Sequence, residues 1–442
     1  MDVSSNPASP SSTSPDRSSI RIGMLGFGTV GQGVWQMLDD NREAIKQRTG
    51  SRVWVSRIGV RDPLKPRVAP SEIVTTDLAS IVDDPEIDVV LELMGGLSPA
   101  GDLIERALAN GKHVVTANKE LIAKEGSRLI RLAAKHGLDL HFEAAVGGGI
   151  PLIQPLKHQL SGNDVLKLMG ILNGTTNYIL TKMAEEDAEF GEALTEAQEK
   201  GYAEADPTSD VEGFDAQYKL AILSSIAFNR EVPPDQVYRE GISRVTKRDM
   251  QFADLLGYRI KLLGIVEPID KKTVRARVHP TLVPKEHPLA DVRGVYNAVW
   301  VKGDFVGDVM FSGRGAGGAP TGSAVVGDLI DVCRNIRFGG AGNSVGFDAP
   351  GQGATMDDLL SRYYLRLIVQ DRPKTLGYIA TIFGECDISL SAMEMRVIPT
   401  PGQGEIVFLA HACRESAFRR ALEALDALDV VESIENWIRV ES

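Results

Sequence analysis

Apolar and polar positions follow two rhythms along the first third of the chain. Ile20 to Leu25 is a short apolar run that predicts a buried strand. Gln32 to Leu38 then has helical spacing, and Val53 to Val60 reads as a second strand. Ile87–Met94, His113–Lys119 and Leu138–Ala145 predict further strands, with helices at Asp102–Asn110 and Leu121–His136 between them. This β-α repetition predicts a parallel, doubly wound sheet. From Gly147-Gly-Gly149 the pattern changes. Ile153–Leu160 looks helical, Val165–Leu172 is strand-like, and Thr181–Lys200 reads as one amphipathic helix. Leu220 to Phe228 is apolar nearly all round, so that helix is expected to be buried. Strand-like runs follow at Leu262–Val266, Val274–His279, Val295–Lys302 and Asp304–Phe311, then a helix at Ser323–Asn335. Together they predict an α+β domain with a sheet covered by helices. Beyond a loop-like stretch at 338–360, six runs between Tyr364 and Val440 fall in the order β-α-β-β-α-β, which is ferredoxin-like.

Composition narrows the function classes. The 442-residue chain carries a net charge of -12, which argues against a nucleic-acid partner, since phosphate binding needs a basic surface. No apolar run approaches a membrane span. Cys333, Cys386 and Cys413 form neither a disulfide framework nor a metal-ligand spacing, which suits a reducing, cytoplasmic setting. Residues 1–19 are rich in Ser and Pro, lack a signal-peptide core, and read as a disordered tail.

Chemistry concentrates in two stretches. The first is Gly26-Phe-Gly-Thr-Val-Gly31, set between a strand and a helix, the context that gives GxGxxG its meaning as a dinucleotide-binding turn. Gly26 makes the tight turn, Gly28 lets backbone approach a pyrophosphate, and Gly31 allows helix–strand packing. At the end of the second strand, Arg61 and Lys65 favour NADP, whereas Asp62 keeps NAD open. Ligands of such sheets lie beyond the carboxyl ends of the strands. Thr116, Asn118 and Lys119 sit at one such end and Glu143 to Ile150 at another. Gly313 to Thr321 is rich enough in glycine either to approach a ligand closely or to serve as a flexible loop.

The second stretch runs from Leu172 to Lys219 and holds Glu204, Asp206, Asp210, Glu212 and Asp215. Asp215 and Lys219 share one helix face. On spacing alone they would form a surface pair contributing about 0.2–0.5 kcal/mol. The buried helix behind them points instead to charge held against a ligand.

These residues carry a resemblance. Leu172-Asn-Gly-Thr-Thr-Asn-Tyr178 and Gly201-Tyr-Ala-Glu-Ala-Asp-Pro207, followed by Asp210, Asp215 and Lys219, resemble homoserine dehydrogenase with a C-terminal ACT domain, over about residues 20–442. The resemblance implies NAD(P)-dependent interconversion of L-homoserine and L-aspartate 4-semialdehyde, in threonine, methionine and isoleucine biosynthesis. It implies Lys219 as catalytic acid/base and Lys119 as a second lysine beside nicotinamide and substrate. Glu204, Asp210 and Asp215 would bind the substrate. Gly26, Phe27, Gly28, Thr29, Val30, Gly31, Arg61, Lys65, Thr116, Lys119, Gly201 and Gly317 would line the cofactor. Glu143, Val146, Gly148 and Ile150 match a monovalent-cation site for Na+ or K+, although Gly147–Gly149 read by itself is a hinge. The implied fold is α/β: a Rossmann-like cofactor domain (20–150), an α+β substrate and dimerisation domain (151–337, with 319–337 returning to the first domain), a linker (338–360) and a ferredoxin-like ACT domain (361–442). A homodimer or homotetramer is implied. So is feedback by L-threonine, which Lys374 weakens by standing where an ACT turn often has glycine.

Two other readings compete. A phosphorylating semialdehyde dehydrogenase needs a nucleophilic cysteine, and none precedes Cys333. A non-catalytic nucleotide and amino-acid sensor would be expected to lack Lys219, Glu204 or Asp215, and all three are present.

Overall fold

A computed structural model of the chain describes residues 18–340 and 349–441. The tail expected to be disordered lies outside them up to residue 17. The first sheet contains β1 (Ser19–Leu25), β2 (Arg52–Gly59), β3 (Val74–Thr75), β4 (Val89–Glu92), β5 (His113–Thr116) and β6 (Leu140–His141). All pair in parallel, in the order β3-β2-β1-β4-β5-β6. This is the doubly wound order that leaves a crevice where the chain reverses direction beside β1. Helices α1 (Thr29–Asp40), α2 (Ala100–Ala109) and α3 (Lys119–Lys135) cover the sheet.

Two strand ends are shorter than the apolar pattern predicts. β5 stops at Thr116 because the Asn118 side chain accepts from Leu121 N–H and caps α3. Lys119 is therefore the first residue of a helix. β6 stops at His141, and Glu143–Ala145 forms a 3-10 turn. Pro155–Gln159 is one π-helical turn where an α-helix is predicted.

The second sheet holds β7 (Val165–Ile171), β8 (Tyr238–Arg239), β9 (Tyr258–Pro268), β10 (Thr273–Pro284), β11 (Tyr296–Gly303) and β12 (Gly307–Arg314). Asp304-Phe-Val306, expected to begin the last of these, is instead the hairpin turn before it. The single helix predicted over Thr181–Lys200 is two, α4 (Gly174–Glu185) and α5 (Phe190–Glu199). Asp187 adopts φ 56° between them, and Glu189 and Glu192 form a capping box that starts a new helix. α6 (Phe214–Ala227) is buried from Leu220 to Ile226, as its all-round apolar pattern predicts, and lies against β9, β10 and α3.

α7 (Lys247–Leu255) precedes β9, and α8 (Gly318–Phe338) follows β12. Val325, Val326, Leu329 and Val332 of α8 share a core with Ile20, Ile22 and Met24 of β1 and Val34 of α1. The two helices cross at glycine. A Cβ on Gly33 would overlap the Gly318 carbonyl, and one on Gly322 would sit 2.9 Å from the Gly33 carbonyl carbon.

Residues 341–348 of the stretch read as a linker lie outside the described residues. Beyond it, β13 (Leu360–Gln370), α9 (Thr375–Glu385), β14 (Leu390–Val397), β15 (Gln403–Ala410), α10 (Glu415–Asp426) and β16 (Val431–Val440) form the expected β-α-β-β-α-β unit. Its strand order is β16-β13-β15-β14. The unit is not a loose appendage. β16 pairs in parallel with β10, joining this sheet to the second one. Fully buried Asp249 of α7 accepts from Arg366 Nε (2.8 Å), Tyr364 Oη (3.1 Å) and Asn436 Nδ2 (2.9 Å) across the boundary.

The helix crossing yields a prediction whose sign is informative. Glycine to alanine within a helix ordinarily stabilises by about 0.5–1 kcal/mol. Gly33→Ala should instead destabilise by about 1–3 kcal/mol, because α1 and α8 must separate. A urea-unfolding midpoint equal to or above that of the parent chain would show that the crossing is slack.

Candidate active site

The carboxyl ends of β1, β4 and β5 lie side by side, with Leu25, Glu92 and Thr116 in one row across the sheet. Each strand end carries part of the site. After β1, Gly26 adopts φ 98°, and a Cβ there would lie 2.7 Å from the Leu93 carbonyl oxygen. A Cβ on Gly31 would lie 2.8 Å from the Gly26 carbonyl oxygen, so helix and turn are in contact. Gly28 differs, since a Cβ there would meet nothing. Glycine is not required at 28 by the protein's own packing, which fits room kept for a phosphate at the N-terminus of α1. Phe27 is buried, and Thr29 and Val30 open the helix. Gly317 caps α8 beside this turn, with a Cβ on Gly318 only 2.8 Å from the Thr29 carbonyl. Arg61 and Lys65 lie exposed beyond β2. Asp62 Oδ1 accepts from Leu64 N–H, so that carboxylate is engaged within its own turn.

After β4 and β5, buried Glu92 ties the strand ends together. It accepts from Thr116 Oγ1 (2.6 Å) and from Met94 and Gly95 N–H. Asn118 donates to the Gly96 carbonyl. This scaffold aims Lys119 away from the sheet, toward α6. The sequence reading did not single out Glu92, although an acid inside Val-Val-Leu-Glu-Leu-Met is the signal that could have found it.

The centre is Asp215, in the first turn of α6 and 2% exposed. Lys219 Nζ donates to its Oδ2 at 2.7 Å and to the Leu172 carbonyl at 2.9 Å. Lys119 pairs with the other oxygen. One carboxylate thus bridges two ammonium groups from different lobes. Asn173 was missed as a site residue. Its Nδ2 donates to both Asp210 (2.7 Å) and Asp215 (2.9 Å), while its Oδ1 caps α4 through Thr176 N–H. A capping residue directly before a helix is readable in sequence, but the predicted helix began later, at Thr181.

Burial and charge act in opposite directions here. Burial disfavours the Asp215 carboxylate, but Lys219 and Lys119 outweigh it and hold its pKa well below the usual range. Lys219 is buried more deeply, and burial lowers its pKa despite Asp215. The Lys119 side chain is 41% exposed. Burial opposes its charge too, but Asp215, then Asp210 and Glu204, raise its pKa. Asp210 is raised by burial and by its like-charged neighbour Asp215. The two lysines therefore shift in opposite directions, Lys119 up and Lys219 down. Glu204 is exposed and enters through its charge on Lys119 rather than a contact. Gly201 (φ 71°) lies at the same rim, where Thr175 Oγ1 donates to the Tyr202 carbonyl.

The glycine run at 147–149 packs under the second glycine loop. A Cβ on Gly148 would overlap the Gly315 carbonyl. Glu143 accepts from the N–H groups of Leu152, Ile153 and Gln154, and burial raises its pKa against these bonds. Among the described residues, no backbone N–H donates to the carbonyls of Val146, Gly148 or Ile150.

Comparison with known proteins agrees with this geometry. A family model described as homoserine dehydrogenase matches residues 151–330, and one described as homoserine dehydrogenase, NAD binding domain, matches residues 26–143. Homoserine dehydrogenase of Synechocystis sp. is 45% identical, covering 96% of this chain and 100% of its own. The chain belongs to the homoserine dehydrogenase family. The crystal structure of a homoserine dehydrogenase from Thiobacillus denitrificans superposes with a TM-score of 0.90 at 43% identity, covering 96% of this chain and 98% of that one. A hyperthermophilic archaeal homoserine dehydrogenase in complex with NADPH matches at a TM-score of 0.61 and 27% identity, covering 71% of this chain and 97% of its own. Homoserine dehydrogenase is an NAD(P)-dependent oxidoreductase of amino-acid biosynthesis that interconverts L-homoserine and L-aspartate 4-semialdehyde.

Asp215 is the residue on which the cluster stands. Asp215→Asn would leave Lys219 buried without its counter-charge, at a cost of about 3–5 kcal/mol. Urea unfolding of the variant measures this, and a midpoint within error of the parent's would contradict the arrangement.

Proposed function

We propose that Lys219 is the acid/base of this homoserine dehydrogenase and that Lys119 orients substrate and cofactor beside it. The observation carrying this reading is the shared Asp215 carboxylate, which fixes two amines of unlike pKa at the ligand-binding end of the sheet. Bound nicotinamide supplies or accepts the hydride. In the reducing direction the Lys219 ammonium donates to the aldehyde oxygen and delivers a proton as the alkoxide forms. In the oxidising direction the neutral amine takes that proton from the hydroxyl. Glu204, Asp210 and Asp215 supply the negative field that receives the substrate ammonium. Gly26 to Gly31, Thr116, Gly201 and Gly317 would line the dinucleotide. Exposed Arg61 and Lys65, with Asp62 turned to its own backbone, favour NADP over NAD.

The donor set at 143–150 fits a monovalent cation held by Glu143 and the carbonyls of Val146, Gly148 and Ile150, with backbone N–H bonds fixing the Glu143 carboxylate in place. We infer for the C-terminal unit the role of an ACT domain in a dimer or tetramer. Lys374 adopts φ 76°, the glycine-like conformation of that turn, so its side chain stands where a ligand such as L-threonine would approach. Three free cysteines suit a reducing cytoplasm.

The pH dependence follows from the lowered Lys219 pKa. Oxidation needs the neutral amine, so kcat/KM for L-homoserine should rise with pH through a midpoint below the ordinary lysine range. Reduction of the semialdehyde should fall across the same window. Lys219→Arg stays charged there and should lose the rising limb with most of the turnover. An unchanged limb in that variant, followed at the nicotinamide absorbance, would remove Lys219 from the role. Separately, Lys374→Gly should raise stability by about 1 kcal/mol, by relieving the left-handed backbone. If the lysine side chain is what obstructs the turn, the variant should also gain L-threonine inhibition in the same assay.

A further inference from the structure

β16 brings one residue of the C-terminal unit within two side chains of the acid turn at 210–214. Arg439, 2% exposed, donates through Nε and Nη2 to both oxygens of Glu415 at 2.7 and 2.8 Å. These bonds stay within its own unit. Its Nη1 leaves the unit and donates to Glu240 Oε2 at 3.0 Å, and its Nη2 reaches Tyr238 Oη at 3.4 Å. The Tyr238 hydroxyl donates to the other oxygen of Glu240. Residues 238–240 are held in turn on β10, where Glu240 N–H donates to the Val278 carbonyl.

The same segment grips the acid turn. Arg239 Nη1 donates to the Glu212 carbonyl, and its guanidinium lies 3.5 Å from the centre of the Phe214 ring. Ile242 N–H donates to the Val211 carbonyl at 2.8 Å, and the Ser243 hydroxyl donates to the Glu212 carboxylate. There is no slack at Gly241, where a Cβ would overlap the Val211 carbonyl. The turn so held carries Asp210 and leads into Asp215. Asp215 is fixed independently by two lysines. Asp210 has no such clamp. Its carboxylate takes hydrogen bonds from Asn173 and Thr175, and its backbone position is set by the turn.

We propose that Arg439 is a positioning residue for substrate binding: through segment 238–243 it sets the acid turn, so the C-terminal unit governs affinity for L-homoserine and not for the dinucleotide. The inference rests on the reading that Asp210 faces the substrate. A purely structural clamp between domains makes a different forecast. It would lower stability while leaving both KM values of the folded enzyme unchanged.

The test uses the full chain with L-homoserine and NADP+. Arg439→Gln and Arg239→Gln should each raise the homoserine KM about tenfold and leave the NADP+ KM within about twofold. Because both act through one contact path, the double variant should exceed the larger single effect by less than about twofold. Arg439→Lys should recover part of the loss, as it keeps the charge but not the fork. Should Arg439→Gln fail to fold, Glu240→Ala, at a side chain 31% exposed, breaks the same link at a site more open to solvent. A homoserine KM unchanged in a cooperatively melting variant, a parallel rise in both KM values, or multiplicative effects in the double variant would each overturn the proposal. Asp210→Asn separates the two levels. If it leaves the homoserine KM unaltered, the site reading fails and this inference with it. If it raises that KM while the arginine variants do not, only this inference fails.

Discussion

A single buried carboxylate between two ammonium groups is the constraint on which the rest of the molecule is arranged. Burying one charge is costly, and an unpaired ion in a protein interior usually neutralises instead. Asp215 avoids that by accepting from Lys219 on its own helix and from Lys119 on the opposite lobe, with Asn173 as a third donor. The pair that spans the crevice thus also sets how the lobes face each other. The deeper lysine, Lys219, is the less stabilised as a cation, because burial opposes its charge more strongly than it does that of Lys119.

Strong periodicity made much of this fold legible. The strand–glycine–helix junction at 20–38 and the all-round apolar run at 220–228 each have one reading, and the structure agrees with both. The C-terminal order β-α-β-β-α-β was equally readable, because six elements of suitable length leave few alternatives. Polar side chains acting on the backbone were harder to see. Asn118 ends a strand three residues early, and the Glu189–Glu192 box restarts a helix that hydrophobic spacing runs straight through. Both depend on one hydrogen bond or two, which outweigh a weak apolar preference locally.

The site was readable in residue type and less so in partnership. Asp215 and Lys219 declare their contact by spacing. Lys119 lies 96 residues before its carboxylate, so only the tertiary structure, or family resemblance, joins them. Glu143 is a second case. Its acid type is plain in the sequence, but its three backbone N–H partners at 152–154 are not.

The return of α8 to the core of β1 and α1 has a consequence for the order of events during synthesis. The last strand of the first sheet is made long before α8, with roughly 180 residues between them; at typical translation rates of roughly 5–20 residues per second this is a delay of roughly 10–40 s. Over that interval the apolar faces of Ile20, Met24 and Val34 lack the helix that covers them. The nascent lobe is therefore exposed to wrong partners on the ribosome, and a holdase that shields such surfaces would act on this chain early.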